Sequence, residues 1–227
     1  MNKVALLLHL YQPPVQGEKT LREIAENSYI PLIKTLKNKT KFKLTLNTPL
    51  SLLEQMDKLG YKDWLDDIKF LAEEGRLELV GSAAYHSLLT KLPDPVKQNQ
   101  IILNEYGLGY YFGRRSGFEG EEAIMVKDLN GFFAPELAVD EDLNLFLDEL
   151  GYEWVLTDPS SIEKIDHLKS KVFQFEDSEC LIVPRNSALS NNLAFFRGLD
   201  VKPLLRTITK QDDLVLALDG ETFGHHN

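Results

Sequence analysis

The chain alternates short apolar runs, rich in β-branched residues, with longer stretches in which apolar residues recur at helical spacing. The short runs predict strands at residues 4–9, 42–47, 77–81, 131–135, 154–157, 172–175, 181–184 and 214–218. The longer stretches predict helices at residues 20–37, from about residue 49, and at 61–74, 93–111, 141–150 and 203–210. Pro31 divides the first of these helices or begins its second half. Residues 113–128 are rich in glycine and charge and favour neither structure.

The repeated alternation of strand and helix indicates the fold class. Because the strands are almost entirely apolar, the pattern is typical of an α/β protein whose parallel sheet is covered by helices. Seven or eight strands in one domain favour a closed barrel over an open sheet. The sequence contains no internal repeat, low-complexity tract or linker rich in proline and serine. We therefore predict a single (β/α) barrel domain over residues 1–227, with parallel strands inside and helices outside.

Polar residues follow the predicted strands at the points where the strands end. In a parallel barrel these positions converge on the carboxyl-terminal face, where the active sites of such folds lie. The residues concerned are His9, Asn47, Ser82, His86, Glu136, Asp158 and Asp219. The pattern therefore predicts one functional site at that face.

Two carboxylates among these residues are candidates for acid–base chemistry. Glu136 and Asp219 each come directly after an apolar strand, beside a residue that turns the chain. Burial there would raise the pKa of one carboxyl, while the other stays ionised in a more polar setting. Glycoside hydrolysis needs such a pair. The alternative is that each carboxylate only caps the helix that follows it.

Residues 9–12 and 85–86 offer groups that bind sugars. The rings of His9, Tyr11 and His86 can stack on a sugar, and the Gln12 amide can bond its hydroxyls.

A metal site is the alternative use of the histidines. His225 and His226 could join His9, His86 and Asp219 as ligands of a hydrolytic zinc. Their spacing matches no zinc motif, and the His-Glu-x-x-His pattern is absent from the sequence. A glycine-rich phosphate loop and a Gly-x-Ser-x-Gly elbow are absent as well. The residues therefore give no support to nucleotide binding or serine-esterase chemistry.

The charge and composition limit the classes of partner and substrate that the chain can bind. Thirty-five acidic residues against 25 basic ones give a formal net charge of −10, which repels nucleic acid and anionic membranes and suits a neutral substrate. No apolar run is long enough to span a membrane, and the run at residues 4–8 is too short for the core of a signal peptide. We therefore expect a cytoplasmic protein. The single Cys180 excludes an internal disulfide, and we expect it to be a buried hydrophobe.

Four short segments resemble, in chain order, four of the five motifs of glycoside hydrolase family 57. The segments are Leu8-His9-Leu10-Tyr11-Gln12-Pro13, Gly81-Ser82-Ala83-Ala84-Tyr85-His86, Gly131-Phe132-Phe133-Ala134-Pro135-Glu136 and Asp219-Gly220-Glu221-Thr222-Phe223-Gly224. Each is a weak signal alone, but four in order, each after a predicted strand, make a specific match. Tyr11 stands where the family's first motif has a second histidine, so the first subsite is expected to differ in shape.

The resemblance implies a (β/α)7 barrel and a retaining enzyme that acts on α-glucans or other α-linked oligosaccharides, as α-amylases and 4-α-glucanotransferases do. It implies Glu136 as nucleophile and Asp219 as general acid/base, about 5–5.5 Å apart, with no catalytic metal and no other cofactor. The residues that it implies for holding the sugar are His9, Gln12, His86 and Glu221. We expect Tyr11, Phe133 and Phe223 to bind the substrate as well.

The sequence ends three residues after Gly224, where members of this family normally continue into a helical domain and a fifth motif. We therefore expect a C-terminally truncated barrel, whose missing wall comes from a longer chain or a partner subunit. Two other functions stay open. One is a metal-dependent hydrolase similar to carbohydrate deacetylases, which would need two histidines and an aspartate within ligand distance. The other is a barrel that binds sugar without turnover.

Overall fold

The computed structural model describes residues 3–39, 41–113, 129–161, 172–195, 208 and 213–224. Seven strands run through these residues in the same direction. They are β1 (Val4–His9), β2 (Leu44–Asn47), β3 (Leu77–Leu79), β4 (Gly131–Phe133), β5 (Trp154–Thr157), β6 (Leu181–Pro184) and β7 (Leu214–Asp219). The helices between them are α1 (Glu18–Ile24), α2 (Ile30–Asn38), α3 (Leu50–Lys58), α4 (Lys62–Glu73), α5 (Asp94–Phe112), α6 (Glu141–Glu149) and α7 (Ser187–Phe195).

The strands form two parallel sheets, in the orders β3-β2-β1-β7 and β4-β5-β6. Hydrogen bonds join these sheets at both edges. The Gly81 amide, just after β3, donates to the carbonyl of Gly131 at 2.9 Å, and the Phe133 amide donates to the carbonyl of Gly81 at 2.9 Å. On the other side, the Asn186 amide after β6 donates to the carbonyl of Val215 in β7 at 2.8 Å. The strands therefore form a ring in chain order, and the predicted parallel (β/α)7 barrel is confirmed.

Apolar residues on both faces of the strands explain why the barrel is stable. Inside the ring, residues from β1, β4, β5 and β7 meet in one buried cluster that includes Leu7, Phe133, Leu156 and Ala217. Outside it, α1 to α5 cover β1, β2 and β3 through a second, larger cluster. Helix α6 packs against β4, β5 and β6, where Cys180 is fully buried as expected. Parallel strands need such cover on both faces because neither face can be left to water.

The first predicted helix is interrupted in the structure. A π-helical turn, Ala25–Tyr29, separates α1 from α2, and Pro31 lies in the first turn of α2, where proline is tolerated. A π-helical turn takes up one more residue than an α-helical turn. The turn includes Tyr29, whose side chain is fully buried.

Apart from the exact ends of several elements, the sequence prediction also differs from the structure at one strand and one helix. Residues 172–175 are not a strand, since Phe173 forms only an isolated antiparallel bridge with Ile182 before the chain turns at residues 176–177. Helix α7 was not predicted, because its sequence is rich in serine and asparagine, which form helices weakly. Leu189 and Leu193 nevertheless pack α7 against β7. The predicted helix at 203–210 lies, apart from residue 208, outside the described residues, as does nearly all of 113–128.

No helix in the described part of the chain combines the length and the apolar character that crossing a bilayer requires.

Gly131→Ala tests the close pairing of β4 with β5. A Cβ at position 131 would lie 2.0 Å from Cζ2 of Trp154, its partner in the β4–β5 register, so strand or ring would have to shift. We expect the free energy of unfolding, measured by equilibrium urea denaturation, to fall by about 1–3 kcal/mol. Gly17→Ala is the control, because a Cβ there meets no atom within 4 Å and the backbone conformation is ordinary. Equal unfolding midpoints for the two variants would contradict the close packing of Trp154 on Gly131.

Candidate active site

A cavity of about 560 Å³ opens at the carboxyl-terminal ends of the strands. Of the predicted catalytic and substrate-binding residues, all except Phe223 line it, as do Arg185 and Leu137. The other polar residues predicted at the strand ends, Asn47, Ser82 and Asp158, do not line it. The two candidate catalytic carboxylates reach it from different strands. Glu136 lies in a short 3₁₀ turn directly after β4, and Asp219 is the last residue of β7. Asp219 is also the register partner of His9 at the end of β1.

Left-handed backbone conformations concentrate at this cavity. In the described residues, only His86, Glu136 and Leu137 adopt positive φ without being glycine, at 54°, 58° and 55°. All three line the cavity. Such conformations cost free energy for residues with a side chain, and they gather at functional sites, where surrounding contacts hold them in place. Here the turn after β4 gives the Glu136 side chain 74% exposure, while Leu137 is buried.

Four rings stack beside Glu136. The ring centroid of His9 lies 4.5 Å from that of Phe133 and 4.7 Å from that of His86, and His86 lies 4.3 Å from Tyr11. The rings are nearly parallel, with interplanar angles of 11° to 25°. Nε2 of His86 is 3.3 Å from Oε1 of Glu136. The stack therefore fixes the imidazole that contacts the candidate nucleophile.

Burial keeps the two histidines neutral. Desolvation, together with the neighbouring His86, lowers the pKa of His9 to about 3, although the hydrogen bond to Asn47 acts in the opposite direction. Nδ1 of His9 lies 2.6 Å from Oδ1 of Asn47, so a neutral ring donates from Nδ1 and keeps Nε2 as an acceptor. Burial also lowers the pKa of His86, against the opposing effect of Glu136. A neutral His86 can donate from Nε2 to the Glu136 carboxylate.

Glu221 is held in a buried cluster of hydrogen bonds. Its Oε1 accepts from Nε2 of Gln12 at 2.6 Å and from the hydroxyl of Tyr29. Burial raises the pKa of Glu221, and the hydrogen bond from Tyr29 acts against that rise. Sequence analysis did not identify Tyr29, because a tyrosine in an amphipathic helix reads as an ordinary core residue.

Arg185 is a further cavity residue that sequence analysis missed. Its Nε donates to Oδ2 of Asp158 at 2.8 Å, and its Nη1 donates to the carbonyl of Ala217 at 3.1 Å. Partial burial alone would raise the pKa of Asp158, but hydrogen bonds from Ser160, Arg185 and Ser187 lower it well below its usual range. Asp158 therefore acts as the fixed anion that holds Arg185. The sequence feature that could have identified Arg185 as a site residue is its position directly after β6.

Phe223 is not part of this cavity. It is 51% exposed and lines a separate apolar groove with Leu6, Leu8 and Phe42. Phe223 and Glu221 are two positions apart in the 3₁₀ turn Gly220–Phe223. Because such a turn has three residues, their side chains point to different sides.

The structure describes only some of the residues that were suggested as metal ligands. His225 and His226 lie outside the described residues. Within the described ranges, no three histidine, cysteine, aspartate or glutamate side chains are grouped so that they could hold a metal ion.

Comparison with known sequences identifies the family of this chain. The profile of glycosyl hydrolase family 57 matches residues 8–227. The chain is 23% identical, over 225 residues, to an α-amylase of Pyrococcus horikoshii, covering 96% of this chain and 33% of that protein. It is also 25% identical, over 226 residues, to a 4-α-glucanotransferase of Thermococcus litoralis, covering 96% of this chain and 32% of that protein. The chain thus spans about a third of the length of the curated relatives it matches.

Solved structures share the fold. The crystal structure of a 4-α-glucanotransferase from Thermococcus litoralis superposes with a TM-score of 0.77 and 21% identity, covering 97% of this chain and 33% of that chain. That of a branching enzyme from Pyrococcus horikoshii gives a TM-score of 0.74 and 16% identity, covering 99% and 64%. Since the family profile spans nearly the whole sequence, the chain belongs to glycosyl hydrolase family 57.

Proposed function

We propose that the chain forms the catalytic barrel of a retaining enzyme that acts on α-linked glucans or related α-glycans, with Glu136 as nucleophile and Asp219 as general acid/base. The observation that carries the proposal is that both carboxylates line one cavity, at the ends of β4 and β7, among groups that can bind sugar. The names of the relatives, α-amylase and 4-α-glucanotransferase, support the choice of α-glucan.

The first step forms a glycosyl-enzyme. A carboxylate oxygen of Glu136 attacks the anomeric carbon, and the bond from that carbon to the glycosidic oxygen breaks. Asp219 begins this step protonated and gives its proton to the departing oxygen, which leaves as an alcohol. His86 contacts Oε1 of Glu136, and a hydrogen bond from its Nε2 orients the carboxylate.

The second step releases the sugar. Asp219, now ionised, removes a proton from water or from a sugar hydroxyl, whose oxygen then attacks the anomeric carbon. The bond to Glu136 breaks, and its carboxylate is regenerated. Two inversions at one carbon give net retention. Water yields hydrolysis and a sugar hydroxyl yields transfer, so both outcomes share one intermediate.

The other cavity residues suit binding of a neutral sugar. The neutral His9 offers Nε2 as an acceptor for a hydroxyl, and Gln12 and Glu221 add an amide and a carboxyl. The ring of Tyr11, stacked on His86, provides an aromatic face. Phe133 supports His9 from its other side.

Glu136→Gln tests the nucleophile. The amide keeps the shape of the side chain but cannot form the glycosyl ester, so turnover of a linear maltooligosaccharide should fall by about 10³-fold or more. Products are separated with and without a chelator. Glu149→Gln, which removes an exposed carboxylate on α6 that does not line the cavity, serves as the control and should keep full activity. Equal turnover by Glu136→Gln and the unsubstituted chain would overturn the assignment, and loss of products on chelation would favour a metal-dependent hydrolase.

Azide rescue tests the two roles separately. An aryl α-glucoside has a good leaving group that needs no proton, so Asp219→Ala should still form the glycosyl-enzyme but release it slowly. Azide can enter the space left by the carboxylate and attack the same face as water, giving an α-glycosyl azide. In Glu136→Ala, azide replaces the nucleophile and should give the β-glycosyl azide. The anomeric configuration of each product is read by NMR, and the opposite pairing would mean that the two roles are exchanged.

The neutral state of His9 predicts a pH-dependent stability. Because the pKa of His9 lies near 3 in the folded chain and near 6.5 when unfolded, the unfolded chain binds the additional proton between these values. His9 therefore lowers the free energy of unfolding as the pH falls from about 6.5 towards 3, by about 1.4 kcal/mol per pH unit at most. His9→Asn keeps an N–H donor for Asn47 and should remove this part of the slope. The measurement is urea denaturation at several pH values. A His9 imidazole that titrates near pH 6.5 by NMR would contradict the prediction.

A further inference from the structure

We infer that Tyr29 is a positioning residue for this site: its hydroxyl fixes Glu221 and, together with Glu221, the amide of Gln12, which lines the cavity. The inference rests on the function proposed above, because Tyr29 acts through residues that line the cavity. Tyr29 itself does not line it, and no substrate contact is assigned to it.

The backbone around Tyr29 is built to hold this side chain. Tyr29 is the last residue of the π-helical turn, a feature that often occurs at functional sites. Its ring is fully buried beside Trp64, and Nε1 of Trp64 donates to the carbonyl of Tyr29 at 3.2 Å. The hydroxyl is therefore fixed from both the ring and the main chain.

The hydrogen bonds form a closed triangle. Tyr29 donates to Oε1 of Glu221, Gln12 donates to the same oxygen at 2.6 Å, and Nε2 of Gln12 also lies 3.2 Å from the Tyr29 hydroxyl oxygen. A phenol has one proton and two acceptor positions, so it can donate to Glu221 while it accepts from Gln12. Loss of the hydroxyl would leave both partners buried with one hydrogen bond fewer, which is costly.

The same turn supports the segment that follows Asp219. Oγ of Ser28 donates to the carbonyl of Glu221 at 3.5 Å. A Cβ added at Gly224 would lie 1.9 Å from the carbonyl oxygen of Asn27, so this segment packs closely on the turn. The π-helical turn thus contacts both the side chain of Glu221 and the main chain just after Asp219.

The titratable groups that act on Glu221 are Tyr29 from the π-helical turn and Asp219 from β7. Burial and the charge of Asp219 raise the pKa of Glu221, whereas hydrogen bonds from Tyr29 and Gln12 lower it. Removing the Tyr29 hydroxyl should therefore raise the pKa of Glu221 further.

The test compares Tyr29→Phe with Tyr152→Phe. Tyr152 is the matched control, because it is buried and its hydroxyl donates to a carboxylate, Oε1 of Glu105, at 2.6 Å. Neither Tyr152 nor Glu105 lines the cavity. Both variants lose the same kind of hydrogen bond, so a general loss of stability should affect both alike.

We expect only Tyr29→Phe to raise the pKa of Glu221, followed by carboxyl ¹³C NMR and assigned with Glu221→Gln. We also expect kcat/KM for a linear maltooligosaccharide to fall by about tenfold, mainly through KM. In a Glu221→Gln background, Tyr29→Phe should have little further effect on KM, because the two residues act together. Equal shifts in both tyrosine variants, or no shift in either, would overturn the inference.

Two further arms keep the test decisive. If the unsubstituted chain lacks turnover, the proposed function fails, yet the Glu221 titration still tests Tyr29. If Tyr29→Phe does not fold, 3-fluorotyrosine at position 29 keeps the hydroxyl and makes it a stronger donor, so the pKa of Glu221 should fall. An unchanged Glu221 pKa in that protein would overturn the inference.

Discussion

The site depends above all on the parallel pairing of β1 with β7, which joins the first strand of the barrel to the last. This register runs from Val4 and Leu214 to His9 and Asp219, so it sets an imidazole and a carboxylate side by side at the cavity. The hydrogen bond between Gln12 and Glu221 spans the same junction and joins residues 209 positions apart. A shift of one residue in this register would point the strand's side chains to the opposite face. The pairing that closes the barrel therefore also places the side chains of the candidate site. No local segment of the chain could assemble these groups alone.

Backbone strain and buried polar groups, both of which cost free energy, concentrate at the same cavity. The non-glycine residues with positive φ in the described ranges all line the cavity, and buried polar groups gather beside them. Nδ1 of His86 and Nδ2 of Asn47 are buried without a hydrogen-bond partner. Each such feature costs stability, and a barrel can carry the cost because its apolar clusters lie below and around the site. The turn after β4, in which Glu136 has a positive φ, exposes the Glu136 side chain at the cavity. A carboxylate that only capped a helix would not require this strained backbone.

The sequence pattern predicted the strands better than the helices. It identified the residues of the motifs better than the residues that contact them from elsewhere in the barrel. The bounds of β1, β5 and β6 match the prediction because continuous apolar runs bounded by turn residues identify buried parallel strands. Residues 172–175 are mostly apolar too, but the early turn leaves them only an isolated bridge. Tyr29 and Arg185 were missed because their roles come from contacts made across the barrel, which no local period records. Phe223 belongs to the right motif yet faces a different groove, because a 3₁₀ turn separates it from Glu221.

Three carboxyl groups share a cavity of about 560 Å³ on a chain whose formal charge is −10, so their mutual repulsion has to be controlled. Arg185 does little to offset it, because its guanidinium is already paired with Asp158. The charge of Asp219 raises the pKa of Glu221, and since the repulsion is mutual, the protons on these two carboxyls are linked. Tyr29 and Gln12 stabilise the ionised form of Glu221, so their hydrogen bonds act against the effect of the neighbouring carboxylate. The hydrogen bonds around Glu221 and the repulsion between the cavity carboxyls thus belong to one network, and a change in the hydrogen bonds should alter the ionisation of Glu221.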